Sequence, residues 1–146
     1  MRALIFFLLI IVIFGCDRMP ENGMKEKPAE EVSRMKITSP SFSEGDMIPS
    51  EFTCDGEDIS PQLDITDVPE NAKTIAIISD DPDAPVGNWV HWVVWNIPAD
   101  TRVIERGAKI GVSGISSFGR NGYGGPCPPS GTHRYYFKAY VLDTEL

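Results

Sequence analysis

Three runs of β-branched and aromatic residues, cut apart by Pro- and Gly-dense connections, confine this chain to a β architecture. Lys73 to Ser79 (KTIAIIS) has strand length and lies between loop signals. Val90 to Ile97 (VHWVVWNI) is a second run, closed by Pro98, and Arg134 to Asp143 (RYYFKAYVLD) is a third, rich in aromatics. Gln62 to Thr66 and Met35 to Thr38 read as shorter strands. No window of helical length shows a capped helical apolar period, and no internal repeat is visible. With 146 residues the chain has room for one globular domain, and the spacing predicts a mostly β, antiparallel sandwich.

The N-terminus reads as a targeting segment. Met1-Arg2 supplies a positive charge, and Ala3 to Phe14 is an unbroken apolar run. That run falls short of the roughly 20 apolar residues that span a bilayer and fits the core of a secretory signal. It ends in Ile13-Phe14-Gly15-Cys16, which resembles the lipobox of bacterial lipoproteins. In those proteins cleavage falls just before the Cys, which carries fatty acyl chains, palmitate among them; an ordinary signal or an uncleaved anchor is the alternative. The expectation is therefore a lipoprotein signal over residues 1–15 and lipidation at Cys16, with two or three acyl chains holding the protein firmly to a membrane. Residues 16–34 form a tether, because Pro20, Gly23, Pro28 and mixed charges leave too little apolar surface to offset ordering. The folded domain spans 35–146. Asp17 resembles a signal that retains enteric lipoproteins in the inner membrane, a rule that varies with the organism, so inner versus outer membrane stays open. Either location is extracytoplasmic and oxidising.

Charge and cysteine usage exclude other classes. The formal net charge is −8, with 13 Lys and Arg against 21 Asp and Glu, so nucleic acid is not an expected partner. Three cysteines cannot build a disulfide-dense scaffold, and they lack zinc-module spacing. Such a body is not drawn electrostatically to anionic lipid, which leaves membrane attachment to Cys16.

Three segments carry chemistry. Asp80-Asp81-Pro82-Asp83-Ala84-Pro85 follows a buried-type strand, and two prolines stiffen it. It is either a solvated acidic turn or a set of carboxylates held opposite something cationic. His91 is one of only two histidines. On an extended strand it shares a face with Val93 and Trp95, opposite Val90, Trp92 and Val94, and it is either a hydrogen-bonded core histidine or a site residue. Gly122 to Tyr135 (GYGGPCPPSGTHRY) combines glycines that admit a close ligand with prolines that stiffen the loop. It ends in His133 at a strand junction, with Tyr135 expected on the same face. No helix follows the glycines, so this is not a dinucleotide fingerprint.

Together these segments resemble the bacterial branch of the phosphatidylethanolamine-binding protein family, also called Raf kinase inhibitor-like proteins. The matching stretches are Asp81-Pro82-Asp83-Ala84-Pro85, Trp89 to Asn96 around His91, and Gly125 to Tyr135; Phe52 to Gly56 and Ser60-Pro61 fit as well. The resemblance runs from about Met35 to Leu146 and implies a β-sandwich with a small pocket at one end, binding phosphate-like anions and phosphoethanolamine head groups. The pocket positions it implies are Asp81, Asp83, His91, Gly125, Pro126, His133 and Tyr135. In that picture the carboxylates orient an imidazole or receive an ammonium, loop N–H groups near Gly125 and protonated His91 and His133 accept phosphate, and Tyr135 donates another hydrogen bond. Family members continue past Leu142-Asp143-Thr144-Glu145-Leu146 with a helix and a final strand. The expectation here is a domain incomplete at that end, with an exposed sheet edge. Cys54 and Cys127 both resemble family cysteines; export permits a disulfide between them, and inheritance explains them equally well.

The function this implies is a lipid-anchored, non-enzymatic binding protein that holds a small anion or a phospholipid head group, without a cofactor. The alternative is an inhibitor or regulator of a protein target such as a protease or kinase. A hydrolase can be written from Ser130, His133 and a carboxylate, but Pro128-Pro129 suits a scaffold better than a nucleophile elbow. A metal site from Asp81, Asp83, His91 and His133 is conceivable, although no local ligand spacing supports it, so neither catalytic residues nor a metal is expected.

Overall fold

The computed structural model describes residues 35–146. The signal, lipidation and tether expectations for residues 1–34 lie outside the described residues. Seven strands appear in chain order: β1 (Lys36–Thr38), β2 (Leu63–Thr66), β3 (Thr74–Asp81), β4 (Trp89–Pro98), β5 (Val103–Ile104), β6 (Val112–Ser113) and β7 (Tyr136–Leu142). A single 3-10 turn covers Ser50–Phe52, and there is no α-helix among the described residues. β1, β2 and β5 form one sheet in the order β1-β2-β5, and the other runs β6-β4-β3-β7; every pairing is antiparallel. This is the expected antiparallel sandwich.

The core lies between the sheets. Leu63 and Ile65 on β2 and Ile104 on β5 meet Ile75 and Ile77 on β3 and Trp92, Val94 and Ile97 on β4, all at most 3% exposed. Alternation on β3 sends Ile75, Ile77, Ser79 and Asp81 to one face and Ala76, Ile78 and Asp80 to the other. Burying each of these aliphatic side chains contributes on the order of 1.5–3 kcal/mol.

The long strands lie where the β-branched runs place them, with informative differences. β3 continues through Asp80 and Asp81, so two carboxylates belong to the strand and not to a turn. β7 begins at Tyr136, which leaves His133 and Tyr135 in the preceding loop. β4 does not alternate cleanly. Ser79 pairs with Trp92 and the next residue, Asp80, pairs with Val90, so His91 is the extra residue of a β-bulge. Adjacent His91 and Trp92 are consequently both buried, and Val90 leaves the face that strict alternation gives it. A second irregularity sits where Ile75 pairs with Ile97 and Ile77 with Val94; Asn96 there takes a positive φ of 54°, and the inward position after Val94 falls on Ile97 instead of Asn96.

Candidate ligand-binding site

The bulge at His91 opens a cavity of about 200 Å³ at the end of β3 and β4. It is lined by Asp81, Trp89, His91, Phe118, His133 and Tyr135, together with Ala84, Pro85, Val86, Cys127 and Pro129. Three separate stretches of sequence, the β3 end, the β4 bulge and the Gly-Pro loop, thus meet in one place.

Each imidazole is oriented through Nδ1. His91, 3% exposed, places Nδ1 2.7 Å from the Gly124 carbonyl, which can only accept, so the proton sits on Nδ1. The Gly124 amide donates back to the His91 carbonyl at 2.9 Å, clamping loop to strand. His133 holds its Nδ1 2.7 Å from Asp81 Oδ2, both side chains being largely buried. Asp81 Oδ1 accepts the Asp83 amide at 2.8 Å. Nε2 of either ring makes no hydrogen bond among the described residues and is left for a ligand. Phe118 and Tyr135 stand edge-on to His91, each with its ring centre 5.2 Å away, and fix the plane of the ring.

Tyr135 is the unsatisfied group of the site. Its buried hydroxyl has no hydrogen bond of good geometry among the described residues. The Asp81 carboxylate and the Cys127 amide are nonetheless near enough to act on it. Burial, reinforced by the Asp81 charge, pushes the hydroxyl up to about 12 and keeps it a protonated donor at neutral pH. A buried donor without a partner is costly unless a ligand completes it.

Asp83, Gly125 and Pro126 do not line the cavity. Asp83 is taken by Arg134, whose backbone amide, Nε and Nη2 all donate to its carboxylate at 2.6–2.9 Å. Those bonds hold its carboxyl well below the usual range and push the guanidinium up. The Gly125 amide donates to Asp58 Oδ1 at 2.6 Å, and the Pro126 carbonyl accepts from the Cys54 amide at 3.1 Å. The expected nest of free N–H groups near Gly125 is therefore spent on the protein itself. Gly125 is required for another reason: a Cβ there would lie 2.5 Å from the Phe52 carbonyl. Ser130 is exposed and absent from the wall, so the Ser130–His133 arrangement does not form there. Among the described residues no group of three or more His, Cys, Asp or Glu could hold a metal ion.

Sequence reasoning missed Phe118 and Asp58. Phe118 sits on a turn pinned to β4, where the Ser117 amide donates to the Val90 carbonyl and the Ser117 hydroxyl accepts from the Val90 amide, at 2.8 and 2.9 Å. Asp58, at a positive φ of 56°, ties Gly125 to Arg120, and the Arg120 guanidinium lies 5.7 Å over the Phe118 ring. Only the Ser-Ser-Phe-Gly turn signal around Phe118 offered a hint. Cys54 and Cys127 form a disulfide with Cα atoms 5.5 Å apart and a sequence separation of 73. Closing a loop of that length stabilises by about 4 kcal/mol in the chain-entropy picture.

An antiparallel sandwich with two oriented imidazoles and an unpaired hydroxyl in an end cavity defines a β-sandwich binding protein. The chain belongs to the phosphatidylethanolamine-binding protein family, whose model matches residues 38–146. A relative from Aquifex aeolicus, a UPF0098 protein, is 50% identical over 119 residues, covering 76% of this chain and 70% of its own. The Pyrococcus horikoshii protein PH1269 is 42% identical over 94% of this chain and 70% of its own. Among solved structures, the family homolog CT736 from Chlamydia trachomatis superposes with a TM-score of 0.76 at 43% identity, covering 78% of each chain. E. coli YbcL, described as a member of the mammalian family, gives 0.71 at 36% identity, covering 77% of this chain and 79% of its own.

Proposed function

We propose that this protein binds a small oxyanion, a free phosphate or a phospholipid head group, in the His91–His133–Tyr135 cavity without transforming it. The observation that carries this reading is the donor set: two imidazoles with Nδ1 already committed, and a protonated Tyr135 hydroxyl without a partner among the described residues. Charge-assisted hydrogen bonds from protonated rings to an oxyanion are the strong kind, and Asp81 keeps His133 correctly turned. Among the described residues the wall carries no serine or threonine, and Cys127 on it is disulfide-bonded, which favours holding a ligand over cleaving it. Apolar Val86, Phe118 and Pro129 suit the carbon substituent of a phosphate ester.

The same reading puts the protein in the cell envelope, anchored through acylated Cys16. The Ile13-Phe14-Gly15-Cys16 sequence supports it, as does a disulfide that an oxidising compartment would sustain. Labelled palmitate should enter the wild-type chain and not the Cys16→Ser variant; equal labelling would remove the anchor.

Binding is tested by thermal melts of the full chain with inorganic phosphate or phosphoethanolamine. A ligand that binds only the folded state adds about 2.7 kcal/mol at 100 times its dissociation constant, so the midpoint must rise. The rise should vanish in the His91→Ala/His133→Ala double variant. An equal rise in that variant, or none in the wild type, would refute the pocket.

A further inference from the structure

The Cys54–Cys127 disulfide is not remote from the cavity. Cys127 lines it, and the Cys127 amide acts on the Tyr135 hydroxyl. Both cysteines are exposed residues, the setting that exchange with a solvent-borne thiol needs. The bond is also one of the ties between two segments: the strap around the 3-10 turn and the loop that builds the site. The others are Tyr123 hydroxyl to Phe52 carbonyl at 2.9 Å, Cys54 amide to Pro126 carbonyl at 3.1 Å, and Gly125 amide to Asp58 at 2.6 Å. Beyond Cys127 the chain from Pro128 to Thr132 is exposed, with no hydrogen bond to it among the described residues. His133 and Arg134 then fasten it again, to Asp81 and Asp83. The stretch that delivers His133 is thus pinned at its upstream end by the disulfide.

We propose that Cys54–Cys127 is a thiol–disulfide exchange site through which an external dithiol, protein or small molecule, resets the ligand cavity. A thiolate of the dithiol attacks one sulfur; the S–S bond breaks as a mixed disulfide forms, and the second thiol then displaces the remaining protein sulfur. Two electrons reach the protein, two protons end on Cys54 and Cys127, and the dithiol departs as its disulfide. Reduction removes the covalent part of the upstream pin and leaves the Cys54–Pro126 and Gly125–Asp58 hydrogen bonds, so His133 and Tyr135 hold their oxidised arrangement for a smaller fraction of the time. If that fraction drops to about a tenth, apparent phosphate affinity drops about tenfold.

The phosphate readout rests on the function proposed above, so the test carries a second one that does not. The full chain in detergent is compared oxidised, reduced with dithiothreitol, and reoxidised. Inorganic phosphate binding is measured alongside nitrogen-edited NMR spectra of the His91 and His133 rings. Reduction should move the His133 ring signals and weaken phosphate binding about tenfold, reversibly. The Cys54→Ser/Cys127→Ser variant should resemble the reduced form and ignore the dithiol. Ring signals that move while the oxidised protein binds no phosphate would uphold the exchange site and sink the phosphate pocket. A bond that resists dithiothreitol in the folded protein, unchanged rings after reduction, or loss of all dispersed signals, which would make it a plain structural staple, would overturn the proposal.

Discussion

Asp80 and Asp81 are adjacent, equally buried, and divided by the plane of the sheet. On the outer face Asp80 Oδ2 accepts from Lys138 at 2.6 Å and from Asn88 at 2.9 Å. On the inner face Asp81 accepts from His133 at 2.7 Å and from the Asp83 amide at 2.8 Å. The Lys138 amine is pushed up, first by its hydrogen bond to Asp80, so it is a permanent cation whose donors stay at the carboxylate. His133 instead presents a second ring nitrogen, and an imidazole can carry one proton or two. What separates a structural carboxylate from a site carboxylate is therefore the partner across from it. The strand's two-residue period deals one carboxylate to each.

The largest expected effect that sharpens this contrast is on stability alone. Lys138→Met leaves the Asp80 carboxylate buried with Asn88 as its remaining donor. It should cost about 2 kcal/mol in denaturant unfolding, less than for a fully enclosed pair because Lys138 is half exposed. Phosphate affinity should stay within about twofold, since the change lies across the sheet. A parallel loss of affinity would break the division between the faces. The converse variant, Asp81→Asn, should lower phosphate affinity about tenfold by freeing the His133 ring while the Asp83 amide keeps its acceptor; a calorimetric titration decides. An affinity equal to wild type would leave Asp81 a merely structural group.

Tyr135→Phe comes next. It removes a hydroxyl that has no good partner in the folded protein, so stability should hold within about 0.5 kcal/mol or rise, while phosphate affinity falls about threefold. A clear loss of stability would show that the hydroxyl is already satisfied. The smallest effect belongs to Asp83. Its folded carboxyl lies below the ordinary range, so the stability it lends is present at neutral pH and fades as pH falls past the unfolded value toward the lowered one. Its carboxyl carbon signal should titrate well below the ordinary carboxylate range; a midpoint within that range would show that the Arg134 pair is not formed in solution.

The long strands were legible because β-branched runs between Pro and Gly signals have few other folds, and the residues gathered at the cavity by β3, β4 and the Gly-Pro loop were legible as motifs. Strict alternation failed at His91 and Asn96, because a bulge depends on the pairing register with β3 rather than on the run itself. β5 and β6, two residues each, are set by their neighbours and carry no period of their own. Asp83, Gly125 and Pro126 were placed in the pocket by motif membership. Whether a side chain faces a ligand or braces a loop is decided by partners such as Arg134 and Asp58, far away in sequence. The Cys54–Cys127 pairing needed a Cα separation that spacing cannot supply.

In the proposed function His91 and His133 receive one oxyanion between them. The measurement that reaches it most directly is a phosphate titration followed at the ring nitrogens of both histidines. Both Nε2 signals should shift along one saturable curve, while the Lys138 amine on the other face stays still. Two unrelated curves, or rings that do not respond to phosphate at all, would contradict it.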